Sequence, residues 1–137
     1  AGMVYVVTGT IPEMGFLLGI PPGLLTANIL LINQVPDADS DATTGKNHLV
    51  VTFGKNATPG IYLATVLGTV AMTVVLASML NNVYLYAPAA IALIGGFRIY
   101  QHMRVHIMER SLVSSNVNTI ALQAVFSIAF IIALLLK

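Results

Sequence analysis

Three stretches of the chain carry no Asp, Glu, Lys or Arg: residues 14–36, 56–97 and 111–136, of 23, 42 and 26 residues. A helix that crosses the hydrocarbon core of a bilayer needs about 20 predominantly apolar residues at 1.5 Å each. The first and third stretches hold one such helix. The middle one is long enough for two, with Asn81-Asn82 as the natural turn. The pattern predicts spans near 16–35, 59–79, 83–100 and 117–136. Residues 1–7 read as the end of an earlier span, and Thr8-Gly9-Thr10-Ile11-Pro12 as the turn after it. The predicted fold class is all-α, a polytopic transmembrane helical bundle with about four spans.

Composition excludes a soluble alternative. Hydrophobic residues make up 57% of the 137 and charged residues 8%, against about 25% charged in an ordinary globular chain. Such a chain has too little polar surface to cover a water-soluble fold. A net charge of +1 gives no electrostatic case for nucleic acid. With Cys at 0, disulfides, thiolate metal sites and Cys nucleophiles are excluded. The chain opens at Ala1 inside an apolar stretch, with no initiator Met and no basic leader. The expectation is a piece of something longer.

The basic residues set an orientation. Lys46 and Lys55 follow the first predicted span, and Arg98, Arg104 and Arg110 follow the third. Only Lys137 falls elsewhere. The excess of Lys and Arg on cytoplasmic loops predicts a multi-pass cell-membrane protein whose acidic loop is cytoplasmic. Pro21-Pro22, with Gly19 and Gly23, predicts a kink in the first span, because neighbouring helices can re-satisfy the freed carbonyls. Gly95-Gly96 predicts close helix packing.

Three of the five acidic residues fall within five positions, in Asn33-Gln34-Val35-Pro36-Asp37-Ala38-Asp39-Ser40-Asp41-Ala42-Thr43-Thr44-Gly45-Lys46. Asn33, Asp37 and Asp41 are spaced by four. Each such step drifts about 40° on a helix, so the three share a face and Asp39 points away. Pro36 disfavours helix at Val35, which predicts a helix end, a break and a short new helix. Two carboxylates and an amide oxygen are hard ligands suited to Mg²⁺, which keeps waters and shares its shell with phosphates. At a membrane surface that is a diphosphate site. A calcium loop would need Gly and Glu where Ala42 and His48 stand. A solvated acidic loop capping a helix is the bland alternative. Against it, Asp at four-residue spacing from Asp is repulsive unless a cation intervenes.

The stretch LLGIPPGLLTANILLINQVPDADSDATTGKNHLVVTFG, residues 17–54, resembles the second aspartate-rich motif of the UbiA superfamily of intramembrane prenyltransferases. The matching residues are Asn33, Asp37, Asp41, Gly45 and Lys46. The flanking sequences look most like the branch that prenylates 1,4-dihydroxy-2-naphthoate in menaquinone synthesis. The resemblance implies about nine spans and two aspartate-rich motifs, one in each half. Only the second motif is present here, so residues 1–137 are expected to be the C-terminal part of a single UbiA-type domain, inactive without the missing N-terminal half.

What the resemblance implies chemically is Mg²⁺-dependent transfer of a polyprenyl group from an isoprenyl diphosphate to an aromatic acceptor. Asp37 and Asp41 would be catalytic and hold Mg²⁺, with Asn33 adding an oxygen or orienting a ligand. Lys46 would meet the diphosphate charge directly, and Asp39 would be solvated or would support a metal ligand from behind. The partners implied are the isoprenyl diphosphate, the aromatic acceptor and the lipid bilayer. Two alternatives remain. One is a relative acting on another aromatic ring, a tetrapyrrole or a lipid alcohol. The other is a non-catalytic membrane subunit whose acidic loop binds cations.

A second row at four-residue spacing, Arg98, His102, His106 and Arg110, lies beside an apolar row of Ile99, Met103 and Ile107. It predicts an amphipathic basic helix at the headgroup level. His102 and His106 have the spacing of a zinc pair but lack an evident third ligand. Glu109 is expected to partner a neighbouring cation. Tyr5, Tyr84 and Tyr86 fall near predicted span ends, where aromatic belts lie.

Overall fold

A computed structural model describes residues 2–10, 12–106 and 112–136. The described residues form α1 (Gly2–Thr8), α2 (Glu13–Thr43), α3 (Leu49–Phe53), α4 (Thr58–Met79), α5 (Tyr86–His106) and α6 (Leu112–Leu135). Short 3₁₀ turns at Lys55–Ala57 and Val83–Leu85 lead into α4 and α5. No strand occurs among the described residues. Four helical segments are long and apolar enough to cross a membrane: Glu13–Thr43, Lys55–Met79, Val83–His106 and Ser114–Leu135. The first three spans read from the sequence lie within these segments, and the fourth, 117–136, ends one residue past Leu135.

The break expected near Pro36 is absent. α2 runs unbroken for 31 residues through Pro21, Pro22 and Pro36. A proline removes one backbone donor and crowds the carbonyl four residues earlier. On α2 that local penalty is offset by burial of one face, where Leu31, Ile32, Val35 and Ala38 all lie in the core. Around the first proline pair, donors from other helices reach the α2 backbone. Gln123 Nε2 donates to the Pro22 carbonyl at 3.2 Å, and Thr69 Oγ1 reaches that of Pro21 at 3.5 Å.

The long helices close a ring in which α4 packs on α2 and α5, and α6 packs on α5 and α2. Gly95 and Gly96 permit the α5 contacts. A Cβ on Gly95 would stand 2.6 Å from Leu122 Cδ1 of α6, and one on Gly96 would stand 2.5 Å from Val66 Cγ1 of α4. The turn between α4 and α5 falls where the sequence places it. Asn81 takes φ +49°, a left-handed conformation that Asn tolerates. Buried Asn82 accepts from the Tyr84 N–H at 3.0 Å and donates to the Ala133 carbonyl at 2.8 Å, tying this turn to the end of α6.

Polarity is inverted relative to a water-soluble bundle. Asn28, Thr58, Thr69, Thr73, Ser115 and Thr119 are buried, while Leu30, Leu67, Val75, Ile128 and Ile132 are exposed. The buried hydroxyls stay satisfied by donating to carbonyls one turn back: Thr69 to Thr65, Thr73 to Thr69 and Thr119 to Ser115, all within 2.9 Å. An apolar exterior costs nothing against lipid tails, and satisfied polar groups inside are what a membrane interior requires.

Cross-helix contacts fix which ends lie together. Asn33 of α2 meets Asn116 of α6, and His102 of α5 meets Ser115 of α6. The end of α2, the start of α4, the end of α5 and the start of α6 therefore share one end of the bundle. That end carries the acidic segment with Lys46, Lys55, Arg98 and Arg104, as the charge pattern predicts. Ile11, Ile107, Glu109, Arg110 and Lys137 lie outside the described residues.

Candidate functional site

At 1.5 Å per residue, α2 is about 46 Å long, against a hydrocarbon core of about 30 Å. With residues 16–35 in the core, its last two turns project beyond it, and these turns carry Asp37, Asp39 and Asp41. The C-terminal end of a helix already bears partial negative charge. Three carboxylates there are unfavourable unless cations compensate them.

Two of the three are compensated within the chain. Asp41 Oδ1 accepts from Lys46 Nζ at 3.1 Å, and Asp41 Oδ2 accepts from His48 Nε2 at 3.2 Å. His48 Nδ1 accepts from the Val51 N–H at 3.4 Å, capping α3, so its proton sits on Nε2 and faces Asp41. The loop is shaped for this. Thr44 follows the last helical residue and Gly45 takes φ +76°, a left-handed position that suits glycine. The Lys46 N–H then bonds back to the Asp41 carbonyl at 3.0 Å. The Lys46 hydrogen bond, and then its charge and the His48 bond, hold the Asp41 carboxyl below the usual carboxylate range against an opposing desolvation. Asp39 accepts from Lys55 Nζ at 2.7 Å.

Asp37 differs. It is exposed and has no hydrogen bond or ion pair among the described residues. Because α2 is continuous, Asp37 and Asp41 lie about 40° apart on the helix, and Asp39 stands about 200° from Asp37. Asn33, one turn earlier on the same face, accepts from Asn116 Nδ2 at 2.5 Å.

This donor set fits Mg²⁺ of a particular kind. No group of three or more His, Cys, Asp or Glu among the described residues could hold a metal unaided. One uncompensated carboxylate beside a second that is held ionised suits an ion that takes one or two protein oxygens and completes its shell with water and phosphate. The zinc reading of His102 and His106 gains no third ligand among the described residues. The two rings lie 4.4 Å apart, and His102 Nδ1 is 2.8 Å from Ser115 Oγ, which links α5 to α6.

Sequence reasoning brought forward Asn33, Asp37, Asp41 and Lys46, and the structure places all four at one end of the bundle. It missed the partners: His48 on Asp41, Lys55 on Asp39, and Asn116 on Asn33. A signal for the last was present, since Ser115, Asn116, Thr119 and Gln123 fall on one helical face of a largely apolar span. Gln123 Nε2 donates to Thr26 Oγ1 at 3.0 Å, and Thr119 Oγ1 lies 3.1 Å from the Tyr62 hydroxyl. These residues make a polar seam from α6 toward α2 and α4.

Residues 1–121 match the family model described as the UbiA prenyltransferase family. No curated protein and no solved structure matches the chain.

Proposed function

The chain belongs to the UbiA prenyltransferase family, and on that premise we propose that it takes part in Mg²⁺-dependent transfer of a polyprenyl group from an isoprenyl diphosphate to an aromatic acceptor. The observation that carries this reading is the carboxylate face at the end of α2. Asp37 has no partner among the described residues, and Asp41 shares its side of the helix. The acceptor is 1,4-dihydroxy-2-naphthoate, on the likeness of residues 17–54 to the menaquinone branch, and the acidic end faces the cytoplasm, where the diphosphate is available.

Asp37 and Asp41 would hold Mg²⁺, with Asn33 beside them. The chemistry the ion supplies when bound is neutralisation of charge on a diphosphate leaving group. The chain's own residues do the rest. Lys46 is exposed, and its ammonium turns from Asp41 to a diphosphate oxygen as the substrate arrives. His48 keeps Asp41 ionised and oriented during that exchange. The allylic C–O bond breaks with its electron pair passing to the diphosphate, and an aromatic carbon captures the allylic cation. The ring then loses its carboxyl group as CO₂. The apolar bundle keeps water from the cation.

The test is incorporation of labelled prenyl groups into 1,4-dihydroxy-2-naphthoate in liposomes by this chain joined to the N-terminal half that the resemblance implies, with and without Mg²⁺. Transfer that needs Mg²⁺ and is lost in Asp37→Asn supports the reading. Mg²⁺-dependent transfer to another ring only would remove the menaquinone assignment, and full activity in chelator would remove the metal.

A further inference from the structure

A groove of about 520 Å³ runs between α5 and α6. It is lined along most of its length by apolar side chains, among them Ile91, Ile94 and Val125, and ends at Arg98 and Asn118. The contacts of His102 with Ser115 and of Gly95 with Leu122 fix the antiparallel register, so Arg98 and Asn118 stand at the same end. From Ala90 to Arg98 the groove follows α5 for about 12 Å. On α6, Asn118 is two residues from Asn116, about 200° around the helix. The groove therefore faces away from the α2 seam that carries Asn33 and the aspartates.

Arg98 is the informative residue. It lies within the membrane-length segment Val83–His106, eight residues before its end, and has no ion pair or hydrogen bond among the described residues. Arg98 is exposed at the charged end of the bundle, where lipid headgroups lie, so its donors are open to an anion from the membrane surface. Its fork of donors matches phosphate oxygens, and Asn118 adds a neutral polar side chain at the same end. Directly below, the apolar walls suit a hydrocarbon chain. A cationic head end above an apolar trough is complementary to an amphiphile of opposite head charge.

We propose that the α5–α6 groove binds one anionic phospholipid, with its phosphate on Arg98 and Asn118 and an acyl chain along Ile91, Ile94 and Val125. The site is separate from the aspartate face and does not depend on the prenyl-transfer reading. An occupant there seals the seam between the last two long helices.

The test is native mass spectrometry of the purified protein with equal amounts of phosphatidylglycerol and phosphatidylcholine, read beside thermal unfolding with each lipid. One phosphatidylglycerol should be retained in preference to phosphatidylcholine, and it alone should raise the midpoint. Arg98→Gln should weaken retention by at least about tenfold, the size expected for loss of a hydrogen-bonding partner to a charged group. Ala121→Leu, which narrows the trough at an exposed position and leaves Arg98 in place, should also displace the lipid. Arg104→Gln should change nothing, since Arg104 packs 5.7 Å from the Tyr100 ring centroid outside the groove. Equal retention of the two lipids, or retention unchanged in both Arg98→Gln and Ala121→Leu, would overturn the proposal. So would displacement of phosphatidylglycerol by an equal concentration of geranyl diphosphate, which would make the groove a substrate subsite.

Discussion

The side-chain amide of Asn116 donates to the side-chain oxygen of Asn33, joining α6 to α2 one helical turn before Asp37. The two residues are 83 positions apart in sequence. Through this bond the last long helix sets the orientation of a side chain on the carboxylate face. Asn33→Ala and Asn116→Ala should each lower stability, and the double variant should lose less than their sum by about 1 kcal/mol, within the range for contacting pairs. A double-mutant cycle on unfolding in detergent measures this, and simple additivity would mean that the contact contributes nothing.

Close packing at Gly96 makes a sharper stability prediction. A Cβ there meets the β-branched Val66 side chain at 2.5, 2.7 and 3.2 Å from its Cγ1, Cγ2 and Cβ, whereas one on Gly95 has a single contact under 3.0 Å, with the end of the more flexible Leu122 side chain. Gly96→Ala should destabilise by about 1–3 kcal/mol through overpacking, and Val66→Ala in the same chain should recover part of the loss. Gly23→Ala, with nothing within 4 Å of the added Cβ, should be neutral or stabilising by up to about 1 kcal/mol from helix propensity. Thermal midpoints of the four proteins check the order.

Asn82 joins the α4–α5 turn to α6. Asn82→Ala leaves the buried Ala133 carbonyl without this donor and should cost about 1–3 kcal/mol. Hydrogen exchange should show the loss first as faster exchange near the C-terminal end of α6. Unchanged protection there would mean that the Asn82 bond does not hold that end.

Topology can be read with single cysteines, because the chain has none of its own. Ser40, Val83 and Arg104 are exposed. In intact cells, cysteines at 40 and 104 should be protected from an impermeant reagent and a cysteine at 83 labelled. Labelling of position 40 with protection of 83 would reverse the orientation drawn from the basic residues.

What could be read from the sequence follows from what each inference needs. The four spans were legible because a lipid-crossing helix demands a long run without charges, and 14–36, 56–97 and 111–136 are such runs. The Asn81-Asn82 turn and the Gly95-Gly96 contact were legible for similarly local reasons. The break at Pro36 was predicted from a local steric rule. Burial of Ile32, Val35 and Ala38 on one face outweighs that rule, and burial depends on neighbours that the local sequence does not name. The partners of the aspartates show the same limit. Lys46 and His48 close on Asp41 through the turn at Gly45, and Lys55 reaches Asp39 from 16 residues away. Asn116 lies on another helix altogether.

The central claim is that the face shared by Asp37 and Asp41 holds Mg²⁺ and that Asp39 is not part of it. The most direct measurement is Mg²⁺-dependent prenyl transfer by Asp37→Ala, Asp41→Ala and Asp39→Ala in liposomes, each made in this chain joined to the N-terminal half that the resemblance implies, with folding verified separately. Loss of one preorganised electrostatic partner typically lowers kcat by about 10²–10³, and that is the loss predicted for each of the first two. Asp39→Ala removes an ion pair with Lys55 whose carboxylate end is exposed, so its effect on stability should stay within about 1 kcal/mol and its kcat should stay near that of the parent protein. If Asp39→Ala lowered kcat as far as Asp37→Ala, the helical-face account would be contradicted.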